Sequence, residues 1–197
     1  VSGGLLKEIL RFIETKIKTV DALLIEDYGK GVIVPSVVQA IVRLAKKHKK
    51  IITVDPKETH FSYYRGVTTI TPNHHEAGSA AGIQIKDDDS LKKAGKKLLQ
   101  MLHCETVLIT LGENGMSLFQ KGRPMVKIPT VARDVYDVSG AGDTVISAYT
   151  LARARKATPL EAAHISNCAA GIVVGKVGIA VTAPEELLEQ VRKETAK

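Results

Sequence analysis

Ala22-Leu23-Leu24-Ile25-Glu26-Asp27-Tyr28-Gly29-Lys30-Gly31, residues 22–31, decides the fold class. A short unbroken apolar run ends in two acids and then a glycine-flanked loop. That is the pattern of a strand buried on both faces whose carboxyl end meets solvent. The pattern recurs downstream: Ile51 to Val54 ends at Asp55, followed by Pro56 and Lys57, and Thr68 to Thr71 ends at Pro72-Asn73. Thr106 to Leu111 is a further strand, broken by Gly112-Glu113-Asn114-Gly115. Between these runs the apolar spacing changes to three and four. Leu6, Ile9, Leu10, Ile13 and Ile17 predict a first helix, Pro35 through Ala45 a second, a short one begins at His74, and Leu91, Leu98, Leu99 and Leu102 mark another. Strands alternating with helices imply βαβ units, a largely parallel sheet and a doubly wound α/β domain whose ligands bind beyond the strands' carboxyl ends. Met116 to Phe119 and Met125 to Ile128 flank Gln120-Lys121-Gly122-Arg123 as a hairpin, and the remainder reads as helices over 140–155, 159–175 and from Pro184.

The chain has 197 residues, enough for one domain, and no internal repeat or long linker divides it. Lys and Arg exceed Asp and Glu by 28 to 21, a net charge of +7 that favours anionic ligands. Aromatic residues are 4% and Trp is absent, which leaves few platforms for base stacking and argues against a single-strand nucleic-acid binder. The run Lys46 to Lys50 reads as the solvated end of the second helix. Cys104 and Cys168 form neither a disulfide framework nor a zinc spacing, and no apolar run of membrane length or signal peptide is present, so a cytoplasmic location is expected.

Asp137-Val138-Ser139-Gly140-Ala141-Gly142-Asp143-Thr144 carries the chemistry. Its glycines let the backbone turn tightly with amides converging, and a helix starts there, so the local field holds an anion. A carboxylate at Asp143 beside such a hole suits a general base that takes a proton from an alcohol attacking a phosphoryl group. It is equally an ordinary acid in the first turn of a helix. No third glycine stands at Val145, which excludes a dinucleotide fingerprint, and no G-x-x-x-x-G-K-[ST] occurs, which excludes a P-loop.

Residues 137–143 resemble the C-terminal signature of the ribokinase-like (PfkB) carbohydrate kinases. The resemblance implies Asp143 as catalytic base and Gly140, Ala141 and Gly142 as anion hole. Asn73-His74-His75-Glu76 is similar to that family's N-x-x-E element, which acts around the magnesium and the nucleotide's phosphates and would use Glu76 and Asn73 through water. Thr110-Leu111-Gly112-Glu113-Asn114-Gly115 resembles the nucleotide-site strand and turn, and Asn167 would be the adenine-side helix residue. The implied fold is a mostly parallel sheet flanked by helices, an α/β/α sandwich. The implied cofactors are ATP and Mg²⁺, and the implied partners are a nucleotide and a sugar phosphate, not nucleic acid or membrane. A homodimer of the full-length protein is compatible.

Asp27 to Gly31, Asp55-Pro56-Lys57 and Tyr136-Asp137-Val138 are most similar to the members of that family that phosphorylate D-glycero-D-manno-heptose 7-phosphate at O1, as a precursor of ADP-heptose. Another sugar or a vitamin precursor is the alternative acceptor. The resemblance covers the C-terminal part of the family's kinase domain. The N-terminal portion, with its Gly-Gly motif, sugar-binding residues and β lid, has no counterpart in these residues, nor does the nucleotidyltransferase domain of some heptose enzymes. The isolated chain is therefore expected to bind nucleotide and to turn over little sugar.

Other residues keep two readings. Asn73 and Glu76 form either a magnesium site or a capping box. His74 and His75, adjacent in sequence, should face apart, lining the nucleotide entrance or solvent. Lys57 and Lys30 are either mobile phosphate contacts or exposed loop lysines. Asn167 either reaches a ligand or bonds within the core among Ile165, Ala169 and Ile172.

Overall fold

The computed structural model describes residues 3–132 and 135–196. Six strands, β1 (Ala22–Glu26), β2 (Ile51–Asp55), β3 (Thr69–Ile70), β4 (Thr106–Thr110), β5 (Met116–Gln120) and β6 (Val126–Ile128), form one sheet in that order. β1 to β4 are parallel, while β5 and β6 run antiparallel as the expected hairpin. The helices are α1 (Gly3–Lys16), α2 (Pro35–Lys47), α3 (His74–Ala81), α4 (Asp88–Leu102), α5 (Ala141–Ala154), α6 (Pro159–Val174) and α7 (Pro184–Thr195).

Strand alternation builds two cores. In β4, Val107 and Ile109 face one side with α2, α3 and α4, whereas Leu108 faces the other with Val145 and Tyr149 of α5 and Ala162 and Ala163 of α6. The result is a sheet between two helical layers. Among the described residues the strand order runs without reversal, with α2, α3 and α4 on one face and α5 and α6, which follow β6, on the other. Among the described residues β1 stands at the end of the strand order, and Leu24 is 36% exposed in this chain.

Residues 58–64, without helical or strand periodicity in the sequence, form a 3-10 segment that buries Phe61 and Tyr64 under α2 and α3.

No helix among the described residues is long and apolar enough to cross a membrane.

Candidate active site

Two periodicities bring the carboxylates together. Thr53 and Asp55 lie two residues apart on β2 and so share a face. Asp143 and Thr150 lie seven apart on α5, two turns, and share a side of the helix. The buried hydroxyls of Thr53 and Thr150 meet at 2.6 Å, which seats α5 across β1 and β2 and brings Asp143 to the strands' carboxyl ends. Glu26 is in register with Asp55 across the β1–β2 pair, so a third acid joins them.

The electrostatics agree with this placement. Burial, then the charges of Glu76, Asp143 and Glu26, push the Asp55 carboxyl up to about 7. Burial also raises Glu76 above the usual carboxylate range, while the Asn73 amide and the charge of Lys57 hold it back. The exposed Tyr28 phenol donates to Glu26 at 3.0 Å and is held up by that bond and by nearby charges, Asp143 included. The site is thus acidic. One basic group sits at the other end of the sheet, where Lys46 to Lys50 precede β2 and Lys121 and Arg123 lie in the β5–β6 turn beside the start of β4, whereas Lys30 and Lys57 follow β1 and β2 at the acidic end.

At the start of α5, Gly140 is the N-cap at φ +77°, a conformation open to glycine and costly for a side-chain-bearing residue, and it provides no side-chain cap. Ala141 donates back to the Val138 carbonyl at 3.2 Å and Thr144 to the Gly140 carbonyl at 2.9 Å. Among the described residues, the amides of Gly142 and Asp143 have no protein acceptor. The preceding loop is held by Ser139 donating to Asp137 at 2.8 Å and Tyr136 donating to the Val174 carbonyl at 2.8 Å.

Beside this terminus lies a cleft of about 700 Å³, the size range of small-molecule and cofactor sites. Thr110, Gly112, Glu113, Gly115 and Asn167 line it together with Ala141 and Gly142, which joins sequence elements far apart in the chain. Gly115 is needed for more than its turn: at φ +78°, a Cβ there would meet the Thr130 amide at 2.6 Å. Asn167 is 4% exposed and donates to the Pro129 carbonyl at 2.7 Å, so it joins the core and the cleft wall at once.

Asn73, His74, His75, Glu76, Lys57 and Asp143 are not part of that cleft lining. Asn73 caps α3, accepting from the amides of His75 and Glu76 at 2.9 and 3.0 Å, and Glu76 accepts from the Asn73 amide at 2.9 Å. The capping box is therefore formed, and the Glu76 charge it holds in place is one of those that raise Asp55. His74 and His75 do not face apart. Their rings lie 3.9 Å between centroids, and burial plus the His75 charge lower the His74 pKa. The sequence reading puts Asp55 and Glu26 among the acids at the strands' carboxyl ends without naming either as a site residue, and the register sets the two side by side. What the sequence reading missed is the wall at Thr130, Ala132, Val135 and Val138, a run after β6 with no regular period.

No group of three or more His, Cys, Asp or Glu among the described residues is arranged to hold a metal ion unaided. The oxygen donors of Glu76 and Asp55 suit a hard cation that keeps several waters and takes its remaining ligands from phosphate.

Comparison with known proteins gives a consistent picture. The sequence profile of the pfkB family carbohydrate kinases matches residues 6–186. The "Bifunctional protein HldE" of Desulfatibacillum aliphaticivorans is 44% identical over 192 residues, covering 98% of this chain and 39% of the relative. That of Geobacter sulfurreducens is 43% identical over 168 residues, covering 85% and 34%. The chain thus spans about two fifths or less of the length of these relatives. Among solved structures, Arabidopsis thaliana ribokinase complexed with ribose and ATP superposes with a TM-score of 0.79 at 21% identity, covering 98% of this chain and 60% of that one. Ribokinase from Giardia lamblia gives 0.81 at 21% identity, covering 95% and 64%.

Proposed function

The chain belongs to the pfkB family of carbohydrate kinases, and from that premise we propose that it forms the nucleotide and catalytic-base part of an ATP-dependent sugar kinase. The observation that carries this reading is the position of Asp143, at an uncapped helix start whose neighbours Ala141 and Gly142 line a nucleotide-sized cleft. A sugar hydroxyl gives its proton to the Asp143 carboxylate as its oxygen bonds to the γ-phosphorus. The bond from that phosphorus to the bridging oxygen breaks, and ADP leaves. The free amides of Gly142 and Asp143 donate to the phosphoryl oxygens as charge develops. Magnesium, when bound, neutralises phosphate charge, and Glu76 and Asp55 are the residues that would hold it, with Asn73 fixing the orientation of Glu76. Thr110, Gly112, Glu113, Gly115 and Asn167 form the wall against which the nucleoside packs. Lys57, from the loop after β2, faces the phosphates.

The acceptor proposed is D-glycero-D-manno-heptose 7-phosphate, phosphorylated at O1. Its support is the similarity of residues 27–31, 55–57 and 136–138 to the heptose kinases, and the naming of the relatives is compatible. The full-length enzyme, given a panel of free and phosphorylated sugars with MgATP, is expected to turn over the heptose 7-phosphate best. No turnover of it, with turnover of another sugar, would overturn the acceptor assignment. A nucleotide-binding chain with little activity of its own is the second reading, favoured by the share of the relatives that is covered. It predicts ATP binding without appreciable phosphoryl transfer by these 197 residues alone.

A further inference from the structure

Asp27 lies at the end of β1, its side chain 1% exposed, and makes contacts that the phosphoryl-transfer reading does not use. Its carboxylate accepts from the Tyr64 hydroxyl at 2.6 Å, from His60 Nδ1 at 2.7 Å and from the Gly29 amide at 2.8 Å. Burial alone would raise its pKa, but the bonds from Tyr64, His60 and Gly29 outweigh it, so the group stays ionised. The Tyr64 oxygen also accepts from the Lys57 amide at 3.0 Å. One phenol oxygen therefore ties the loop leaving β1 to the loop leaving β2. The Lys57 stem runs along Gly29: a Cβ there would lie 3.5–3.6 Å from its Cγ, Cδ and Cε, ordinary contact distance. With backbone and stem both held, Lys57 is fixed in the loop that leaves the carboxyl end of β2, where the strand-end acids stand.

We propose that Asp27, Tyr64 and His60 form a positioning device that holds Lys57 across the β1 loop and points its ammonium at the transferred phosphoryl group. The device rests on the phosphoryl-transfer reading and adds to it: Asp27 and Tyr64 act through Lys57 and touch no substrate. A lysine stem has many rotamers, and fixing it beforehand removes an entropy cost from each turnover. Phe61 and Tyr63 hold the Tyr64 ring edge-on, with centroids 6.2 and 6.4 Å away, so loss of the hydroxyl alone leaves the packing in place.

The test is a double-mutant cycle in the full-length protein. Tyr64→Phe is expected to lower kcat about 10-fold with KM for ATP changed less than about twofold. In a Lys57→Met background the same substitution should change kcat by less than about twofold, since no ammonium remains to be aimed. Equal losses in both backgrounds mean a merely structural role and overturn the proposal. His60→Leu, at a less buried position, gives a second arm should Tyr64→Phe not fold, with about a 3-fold loss expected and the same dependence on Lys57. Asp143→Asn separates the two levels. If it abolishes turnover while Lys57→Met leaves kcat intact, the kinase reading stands and the positioning device falls. If Asp143→Asn also leaves kcat intact, the kinase reading itself falls.

Discussion

α3 and α5 both begin at the carboxyl end of the sheet, and their first turns are finished in opposite ways. α3 is closed by its own side chains: Asn73 takes the amides of His75 and Glu76, and Glu76 takes the Asn73 amide. α5 starts on a left-handed glycine with no side-chain cap and, among the described residues, leaves the Gly142 and Asp143 amides without a protein acceptor. Both starts carry the helix's partial positive charge. The sealed one spends it on its own cap and gains rigidity, which fixes the Glu76 carboxylate. The open one keeps it for something from outside. In the function proposed, the N-x-x-E start would supply a shaped acid and the G-x-G-D start a receptor for an anion.

The largest effect should come from the open end. Asp143→Asn in the full-length enzyme is expected to lower kcat by about 10² or more with ATP affinity nearly intact, measured by steady-state kinetics and calorimetry. Unchanged kcat would remove the distinction between the two helix starts.

A smaller effect concerns the acids between them. Asp55 has a pKa of about 7 in the folded chain against 3.8 as a reference, so between those values the folded state holds a proton that the unfolded chain has released. Its contribution is complete below about pH 4 and is lost as pH rises through about 7. Melting temperature should accordingly fall by about 5 °C from pH 5 to pH 8, and Asp55→Asn should flatten that part of the profile. Magnesium added at pH 8 should raise the melting temperature of the native chain more than that of Asp55→Asn. Equal pH profiles would show that the acids do not share one field.

The smallest effect belongs to the sealed end. Asn73→Ala removes a cap and should cost about 1 kcal/mol, a melting shift of about 3 °C in the unliganded chain. No shift without ligand would show that the α3 start is not sealed by its own cap and would reverse the comparison.

Sequence alone carries the sheet well, because a buried strand needs a continuous apolar run and a loop at its end needs acid, glycine or proline. Ala22 to Glu26, Ile51 to Asp55 and the hairpin at 116–128 were therefore visible. β3 shrinks to two residues because Thr68 and Thr71 bond to neighbouring strands without extending the ladder. The path of residues 58–64 is not written in those residues themselves, since Tyr64 bonds to Asp27, 37 positions earlier.

The candidate site was legible where a local motif dictates local geometry, as at Gly140 and Asp143. It was ambiguous where one pattern serves two purposes. Asn73 and Glu76 are a complete capping box and also present a carboxylate to Asp55, and spacing cannot separate those uses. The charge argument has no address: +7 is a sum over the chain, and the folded chain puts Lys46 to Lys50, Lys121 and Arg123 at the end opposite the acids while Lys30 and Lys57 follow β1 and β2.

Residue-resolved amide exchange with and without MgATP tests the central claim most directly. The Gly142 and Asp143 amides should exchange freely in the unliganded chain and slow at least about 10-fold when nucleotide binds, while those of His75 and Glu76 are slow throughout. Unaltered exchange at Gly142 and Asp143 under saturating MgATP would contradict the account.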